Sequence, residues 1–131
     1  MTELLEREVL LEKDTIIVSE TDSKGKILYA NDDFCKICGF SKDELIGKPH
    51  NIVRHPDMPK AAFKDLWDTI KAGKEWKGIV KNKTKDGGFY WVHAKVFPSK
   101  TVDDEIKYIS VRIKPTAAEI KNAEKLYETL D

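Results

Sequence analysis

The chain has 131 residues, the length of a single domain with one hydrophobic core. Lysine plus arginine and aspartate plus glutamate number 23 each, so the basic surplus that nucleic-acid binding requires is absent. No apolar run approaches the roughly 20 residues that cross a bilayer, and there is no signal-peptide core. We therefore expect a cytoplasmic globular domain that binds no nucleic acid and inserts no segment into a membrane. A longer, membrane-associated parent protein stays open.

The first predicted elements are a flanking helix and a β-hairpin. Apolar side chains interspersed with charges predict a helix over residues 3–13, within an N-terminal flanking segment of residues 1–13. β-Branched runs then predict strands at 15–20 and 27–30. The intervening Asp-Ser-Lys-Gly sequence has the composition of a hairpin turn.

Short helices and one long helix come next. Asn31 can cap a helix that ends at Gly39, and residues 41–44 form a capping-box sequence. Cys35 and Cys38 lie in the first helix without further ligands nearby, so we interpret them as core or near-core residues and expect no metal site. The clearest helix covers residues 59–71, whose apolar residues recur at i, i+3, i+4 and i+7.

Three strands and a final helix complete the chain. Strands at 76–84 and 89–97 flank a Lys-Asp-Gly-Gly turn, and a third strand covers 105–114. Strands and helices are segregated along the chain, which predicts an α+β fold with helices on one face of a five-stranded antiparallel sheet. We assign residues 14–115 to this domain and 116–131 to a C-terminal linker or output helix.

The alternation of side chains in the predicted strands locates a cavity. Trp76, Gly78, Val80 and Asn82 share the apolar face of their strand, so Asn82 is a polar group at an inward position. The glycine within this strand indicates that another group approaches the backbone closely. In the strand at 105–114, the alternation alone does not decide which face is directed at the cavity.

The run from 48 to 59 is a proline-stiffened loop that carries Arg54, His55 and Asp57. A rigid loop with these side chains is a candidate arm for binding an anion or a cofactor. Simpler roles stay open for each residue. Asp57 could cap the helix at Pro59, Arg54 could pair with a local acid, and His55 could be an ordinary loop residue. Likewise, Trp76 could be core and Asn82 a satisfied amide.

The sequence resembles the sensory PAS domains of bacterial aerotaxis receptors. The resemblance is carried by four segments: Pro49-His50-Asn51, Val53-Arg54-His55-Pro56-Asp57-Met58-Pro59, Gly78-Ile79-Val80-Lys81-Asn82 and Tyr90-Trp91-Val92. It implies a PAS fold, noncovalent FAD and a signalling role in aerotaxis, in which flavin redox state is relayed to a chemotaxis-type transducer. We also expect a homodimer with a downstream signalling module, and no enzymatic activity, since no Ser/His/Asp or Cys/His arrangement stands out in the sequence.

The resemblance further implies a set of flavin-binding residues in this chain. The implied positions in the loop and around the pocket are Arg54, His55, Asp57, Asn31, Trp76 and Asn82. An amide such as Asn82 can match the donors and acceptors of an isoalloxazine edge, and Arg54 suits a pyrophosphate. The apolar walls would be Val80, Val92 and Ala94.

Photosensory light-oxygen-voltage domains are related flavin binders that use a cysteine to form a photo-adduct. His50 stands at the corresponding position here, which leaves electron transfer as the expected signal. Arg112 stands where those domains use a glutamine that responds to flavin state, and Val92 where they use a second amide. We therefore treat Arg112 as a candidate for coupling redox state to the sheet.

Two other functions compete with a flavin sensor. A haem-binding PAS oxygen sensor would need a histidine ligand, and His50, His55 and His93 are the candidates. A cofactor-free dimerisation module would rely on the heptad-like spacing of the C-terminal helix. FMN in place of FAD is a further alternative.

Overall fold

The computed structural model describes residues 7–130, and its strands form one antiparallel sheet, as predicted. The order across the sheet is β2-β1-β5-β4-β3, so β2 and β3 are its two edges. The strands are β1 (Ile17–Asp22), β2 (Ile27–Ala30), β3 (Trp76–Lys83), β4 (Phe89–Lys100) and β5 (Ile106–Ile113). The helices are α1 (Asp32–Cys38), α2 (Lys42–Leu45), α3 (Lys60–Lys71) and α4 (Ala117–Tyr127), with a 3₁₀ turn at His50–Val53.

The short helices begin and end where the capping residues stand. The Asn31 side chain accepts a hydrogen bond from the Phe34 amide at 3.1 Å, and Gly39 ends α1 in the left-handed conformation that glycine adopts without strain. Ser41 and Glu44 exchange both hydrogen bonds of a capping box at α2. These local predictions are confirmed.

Helices α1 to α3 cover the inner face of the sheet and enclose the core with it. In β3 the buried residues are Trp76, Val80 and Asn82, so the predicted alternation is confirmed. In β5 the buried set is Tyr108, Ser110 and Arg112. The inner face of β5 is thus aromatic and polar, and its aliphatic residues are directed outward. Helix α3 presents Leu66 and Ile70 to the core.

The predicted N-terminal helix is wrong for the part that the structure describes. Residues 7–12 form no helix, Glu8 makes a parallel backbone bridge to Phe89, and residues 1–6 lie outside the described chain. The Arg7 carbonyl accepts from the Phe89 amide at 3.0 Å, and the Val9 amide donates to the Phe89 carbonyl at 2.7 Å. Strand β4 begins at Phe89 but pairs with β5 only from His93 onwards. The first residues of β4 therefore leave their backbone groups on the β5 side available to another segment. Pairing with that edge overrides the helical pattern of the sequence.

The glycine in β3 makes room for a neighbouring side chain on its own strand. A Cβ atom built on Gly78 would lie 2.6 Å from the Trp76 ring carbon Cζ2. The Trp76 ring therefore lies over Gly78, and its Nε1 donates to the Asp65 carboxylate of α3 at 2.9 Å. The close approach that the sequence indicates is made by an indole of the protein itself.

Gly78→Ala is expected to destabilise the domain by about 1–3 kcal/mol, because the new methyl group must displace the Trp76 ring. Urea denaturation monitored by tryptophan fluorescence measures the change. In a Trp76→Leu background, the same substitution should lower the free energy of unfolding much less, because the leucine side chain is smaller and more flexible. An equal cost in both backgrounds would contradict this account of Gly78.

Helix α4 leaves the sheet after β5 and returns to the β3 edge. Its capping box is formed by Thr116 and Glu119, and the Tyr127 hydroxyl donates to the Ile79 carbonyl on that edge. Glu119 also reaches His93 on the outer face of the sheet, with 2.8 Å between Oε2 and Nδ1. A C-terminal helix is confirmed, and its output role stays a prediction. Within residues 7–130, no helix is long and apolar enough to cross a membrane.

Candidate cofactor-binding cavity

The loop from 48 to 59 crosses the inner face of the sheet from one edge to the other. At the β2 edge, the Ile27 amide donates to the Lys48 carbonyl at 2.8 Å. At the β3 edge, Arg54 forms a backbone bridge with Asn82, and the Lys81 amide donates to the Met58 sulfur at 3.3 Å. Since β2 and β3 are the outer strands, the loop, α3 and the sheet together enclose a space above β1 and β5.

That space is a cavity of about 360 Å³, within the size range of small-molecule sites. Its walls come from the β1–β2 turn, the 48–59 loop, α3 and the inner face of the sheet. Three of the predicted site residues, Arg54, Asn82 and Arg112, line it. The principal other residues of its wall are Thr21, Lys24, His50, Phe63, Lys64, Trp67, Val96, Tyr108 and Ser110.

Arg112 is a buried cation without an acidic partner in the described chain. Its side chain is directed into the cavity wall, and the residue is 7% exposed. Its Nε donates to Ser110 Oγ at 2.8 Å, and Nη1 donates to the Asn82 amide oxygen at 3.0 Å. No carboxylate among residues 7–130 lies within ion-pair distance of it. A buried charge of this kind is costly without compensation, so Arg112 is suited to an electron-rich or anionic ligand.

The amide of Asn82 connects this cation to the loop. In the orientation that satisfies both neighbours, its oxygen accepts from Arg112 and its nitrogen donates to the Val53 carbonyl at 3.3 Å. Asn82 is 2% exposed and stands opposite Tyr90 in the β3–β4 pairing. The predicted inward orientation of the Asn82 side chain agrees with this buried position.

The Tyr90 hydroxyl is a buried polar group without a hydrogen-bond partner in the described residues. The residue is fully enclosed, and burial raises the pKa of its phenol, so the group stays protonated. An unpaired hydroxyl in a core costs about 1–3 kcal/mol. Tyr90 stands opposite Asn82 in the β3–β4 pairing, so its hydroxyl is a donor that a rearranged Asn82 amide can satisfy.

His50 forms part of the cavity wall in a neutral state. Its Nε2 is hydrogen-bonded to Ser19 Oγ at 3.0 Å, and its ring stacks on Phe34 with centroids 5.7 Å apart. Burial, and secondarily the positive charge of Arg112, lower the pKa of His50 to about 3. The sequence indicates this residue by comparison with the photosensors and as a candidate haem ligand, and the structure places it at the cavity.

The neutral state of His50 should make the domain sensitive to acid. Its pKa in the folded chain lies below the ordinary value of 6.5, so the unfolded chain takes up the proton first as the pH falls. The free energy of unfolding should therefore fall from about pH 6.5 towards pH 3, by on the order of 1 kcal/mol per pH unit from this residue. Urea denaturation across this range, compared with His50→Asn, measures the contribution. Identical slopes in both proteins would contradict it.

An aromatic pair forms the wall opposite the loop. The Trp67 and Tyr108 rings meet edge to face, with centroids 5.6 Å apart and planes at 84°. Gly25 in the β1–β2 turn has φ +89°, and a Cβ built there would lie 3.1 Å from Trp67 Cζ2. Trp67 lies on the apolar stripe of α3, where it packs against the core and also borders the cavity.

The mouth of the cavity is positively charged. Lys24 projects from the β1–β2 turn, Arg54 from the loop and Lys64 from the first turns of α3. The Arg54 guanidinium lies 4.0 Å from the centre of the Phe63 ring, a cation–π contact, and not beside a local acid. No aspartate or glutamate borders the cavity in the described chain.

The structure places His55 and Asp57 outside the cavity wall. The His55 Nδ1 accepts from the Asp57 amide at 3.0 Å, and its ring meets Phe89 edge to face. The Asp57 carboxylate binds Lys81 Nζ at 2.8 Å, which lowers the pKa of that carboxyl, and it does not cap α3. These contacts fasten the loop to β3 one residue before Asn82. These contacts therefore support a role for His55 and Asp57 in positioning the loop.

The remaining predicted site residues also lie away from the cavity wall. Asn31 caps α1, and its amide nitrogen donates to the Ile16 carbonyl at 2.8 Å, so both ends of the amide make structural contacts. Trp76 lies over Gly78, as described above. Val80, Val92 and Ala94 are buried in the core and are not among the residues that line the cavity. Their direct contact with a ligand stays a prediction.

Comparison with known proteins identifies the fold and several relatives. Residues 27–112 match the family described as PAS fold. The chain is 47% identical to the aerotaxis receptor of Escherichia coli over 92% of its own length and 24% of that protein. It is 26% identical to the nitrogen fixation regulatory protein of Klebsiella oxytoca, over 76% of this chain and 20% of that one. The chain thus spans about a quarter or less of these relatives.

Solved structures of light-oxygen-voltage domains have the same fold. One, from a study of a flavin analogue in such a domain, has a TM-score of 0.73 at 19% identity and covers 86% of both chains. The dark structure of the Aureochrome1 domain has a TM-score of 0.72 at 20% identity and covers 84% of this chain and 85% of that one. With the match over 27–112, these observations show that the chain belongs to the PAS fold family.

Proposed function

We propose that this chain is a sensory module that binds FAD noncovalently in the cavity and reports the redox state of the flavin. The observation that carries the proposal is the buried Arg112, joined to Asn82 and unaccompanied by any acid in the described cavity wall. A flavin combines a flat apolar ring, a polar pyrimidine edge and a phosphate-bearing tail. The aromatic pair, the Asn82–Arg112 pair and the cationic mouth correspond to these three parts in chemistry.

When bound, the flavin would supply reversible electron acceptance. Arg112 would stabilise the electron density that reduction places on the polar edge of the ring. Asn82 would orient that edge, because its amide is held between Arg112 and the Val53 carbonyl. His50 stays neutral near pH 7 and takes up no proton there, since its pKa is lowered to about 3.

The relatives support a role in signalling. The strongest similarity described above is to an aerotaxis receptor and the next to a regulatory protein, and neither name denotes an enzyme. A redox-dependent change at Arg112 or Asn82 would reach α4 through β4 and β3, on which Glu119 and Tyr127 are anchored. We further propose a homodimer, with α4 leading to a chemotaxis-type transducer and residues 14–115 as the sensory unit.

The absorbance spectrum of the purified protein tests this function. Bands near 375 and 450 nm are expected for an oxidised flavin, and chromatography of the chromophore released by heat should identify FAD and not FMN. A Soret band would establish the haem alternative instead. A featureless spectrum that persists after incubation with FAD would contradict the proposed function.

A further inference from the structure

The cationic mouth of the cavity is built from elements that hold their positions. The β1–β2 turn, which carries Lys24, is fixed by Asp22, whose Oδ1 accepts from the amides of Lys24 and Lys26 at 2.9 and 3.0 Å. The same turn is attached to the cavity loop, because the His50 amide donates to the Gly25 carbonyl at 3.0 Å. The backbone that presents Lys24 is therefore rigid before any ligand binds.

Lys64 approaches the mouth from the opposite side, on α3. It precedes Trp67 by one helical turn, and Trp67 in turn abuts Gly25, the neighbour of Lys24. The two lysines thus flank one aromatic side chain at the entrance of the cavity. Both are exposed, so their ammonium groups are free to meet a charged group that projects from the cavity.

The charges around these lysines favour an anion. Lys24 has no ion-pair partner among residues 7–130, and Lys64 pairs only with Asp68, four residues later on the same exposed helix face. A pair of that kind contributes little to stability, so Lys64 can exchange Asp68 for a ligand anion at small cost. With Arg54 beside them and no acid in the described wall, the mouth presents three cations from three separate elements.

We propose that Lys24 and Lys64 bind the phosphate groups of the flavin nucleotide and thereby select FAD or FMN over riboflavin. This inference rests on the proposed function, and it extends the site to two lysines outside the motif shared with aerotaxis receptors. The buried end of the cavity would recognise the ring, which all three flavins share. The mouth would recognise the phosphate, which riboflavin lacks.

The test is a set of affinities for riboflavin, FMN and FAD, measured by titration of protein stripped of its chromophore. For Lys24→Gln with Lys64→Gln, FAD affinity should fall about tenfold or more, while riboflavin affinity stays within about twofold. Raising the salt concentration should weaken the binding of FAD and leave the binding of riboflavin unchanged. Lys74→Gln, three residues beyond the end of α3 and outside the cavity wall, is the control and should change neither affinity.

The outcomes separate this inference from the proposed function. Parallel losses for riboflavin and FAD in the double variant, or an unchanged FAD affinity, would overturn the assignment of the lysines while leaving flavin binding intact. Failure of all three flavins to bind the unsubstituted protein would overturn the proposed function, and this inference with it. If the double variant loses affinity for FAD but not for FMN, the lysines bind the second phosphate. If it loses affinity equally for both, they bind the first.

Discussion

Arg112→Met is expected to abolish most flavin binding while leaving the flavin-free domain at least as stable as the original. The two effects have opposite signs because the guanidinium is buried without an acid in the described chain. In the flavin-free state that charge costs desolvation energy, which a methionine of similar length avoids, and this gain offsets the loss of the hydrogen bonds to Ser110 and Asn82. In the bound state the same charge would interact with the polar edge of the ring, and methionine offers nothing in its place.

Two measurements check the prediction. Flavin titration should show an affinity loss of about 100-fold or more, since charged hydrogen bonds in buried sites contribute about 1.5–3 kcal/mol each. Any residual bound flavin should have a midpoint potential lower by tens of millivolts, because about 59 mV corresponds to tenfold for one electron. Urea denaturation without flavin should give an equal or higher free energy of unfolding. Retained affinity together with lost stability would show that Arg112 is only a structural residue.

Asn82→Ala is expected to weaken both flavin binding and the fold. The amide satisfies the Arg112 guanidinium and the Val53 carbonyl, and its removal leaves both without that partner. Each buried polar group left unpaired costs about 1–3 kcal/mol, so the flavin-free domain should lose about that much stability. The loss in flavin affinity should exceed the effect on stability, because the ring also loses its orienting amide.

Asn82→Asp provides the matched control for this prediction. A carboxylate at this position would form an ion pair with Arg112 and neutralise the only cation buried in the described cavity wall. The flavin-free domain should therefore tolerate the aspartate better than the alanine, while flavin affinity falls in both. Urea denaturation and flavin titration of the two variants separate stability from recognition. Normal affinity in the Asp variant would contradict the role of the Arg112 charge.

Local patterns in the sequence predict most of the fold. The capping residues Asn31 and Ser41 each accept from the amide three residues later, so their effects are decided locally. The alternation of apolar and polar residues along β3 also determines which side chains face inward, since a one-residue shift in register would move Asn82 to the outer face. The N-terminal helix fails because Arg7 and Val9 pair with Phe89, a partner about 80 residues away that no local pattern reveals.

The candidate site is predicted less completely, for physical reasons that differ between residues. In β5 the aliphatic set faces outward and the polar set inward, which reverses the usual hydrophobic signal and leaves Arg112 ambiguous. Trp67 lies on an apolar helical stripe, and a stripe does not distinguish a core neighbour from a cavity. The two mouth lysines lie in a turn and on a helix, so only the tertiary contact between Gly25 and Trp67 brings them together.

The most direct test of the central claim is a contact map between bound flavin and protein, obtained by nuclear Overhauser measurements on the flavin-loaded domain. If the flavin ring occupies the cavity, its methyl and aromatic protons should contact Trp67, Tyr108 and Val96, which line the cavity. Contacts instead to Ala123 and Leu126, in the groove between α3 and α4, would contradict it. So would a flavin that shows no contact to the cavity residues.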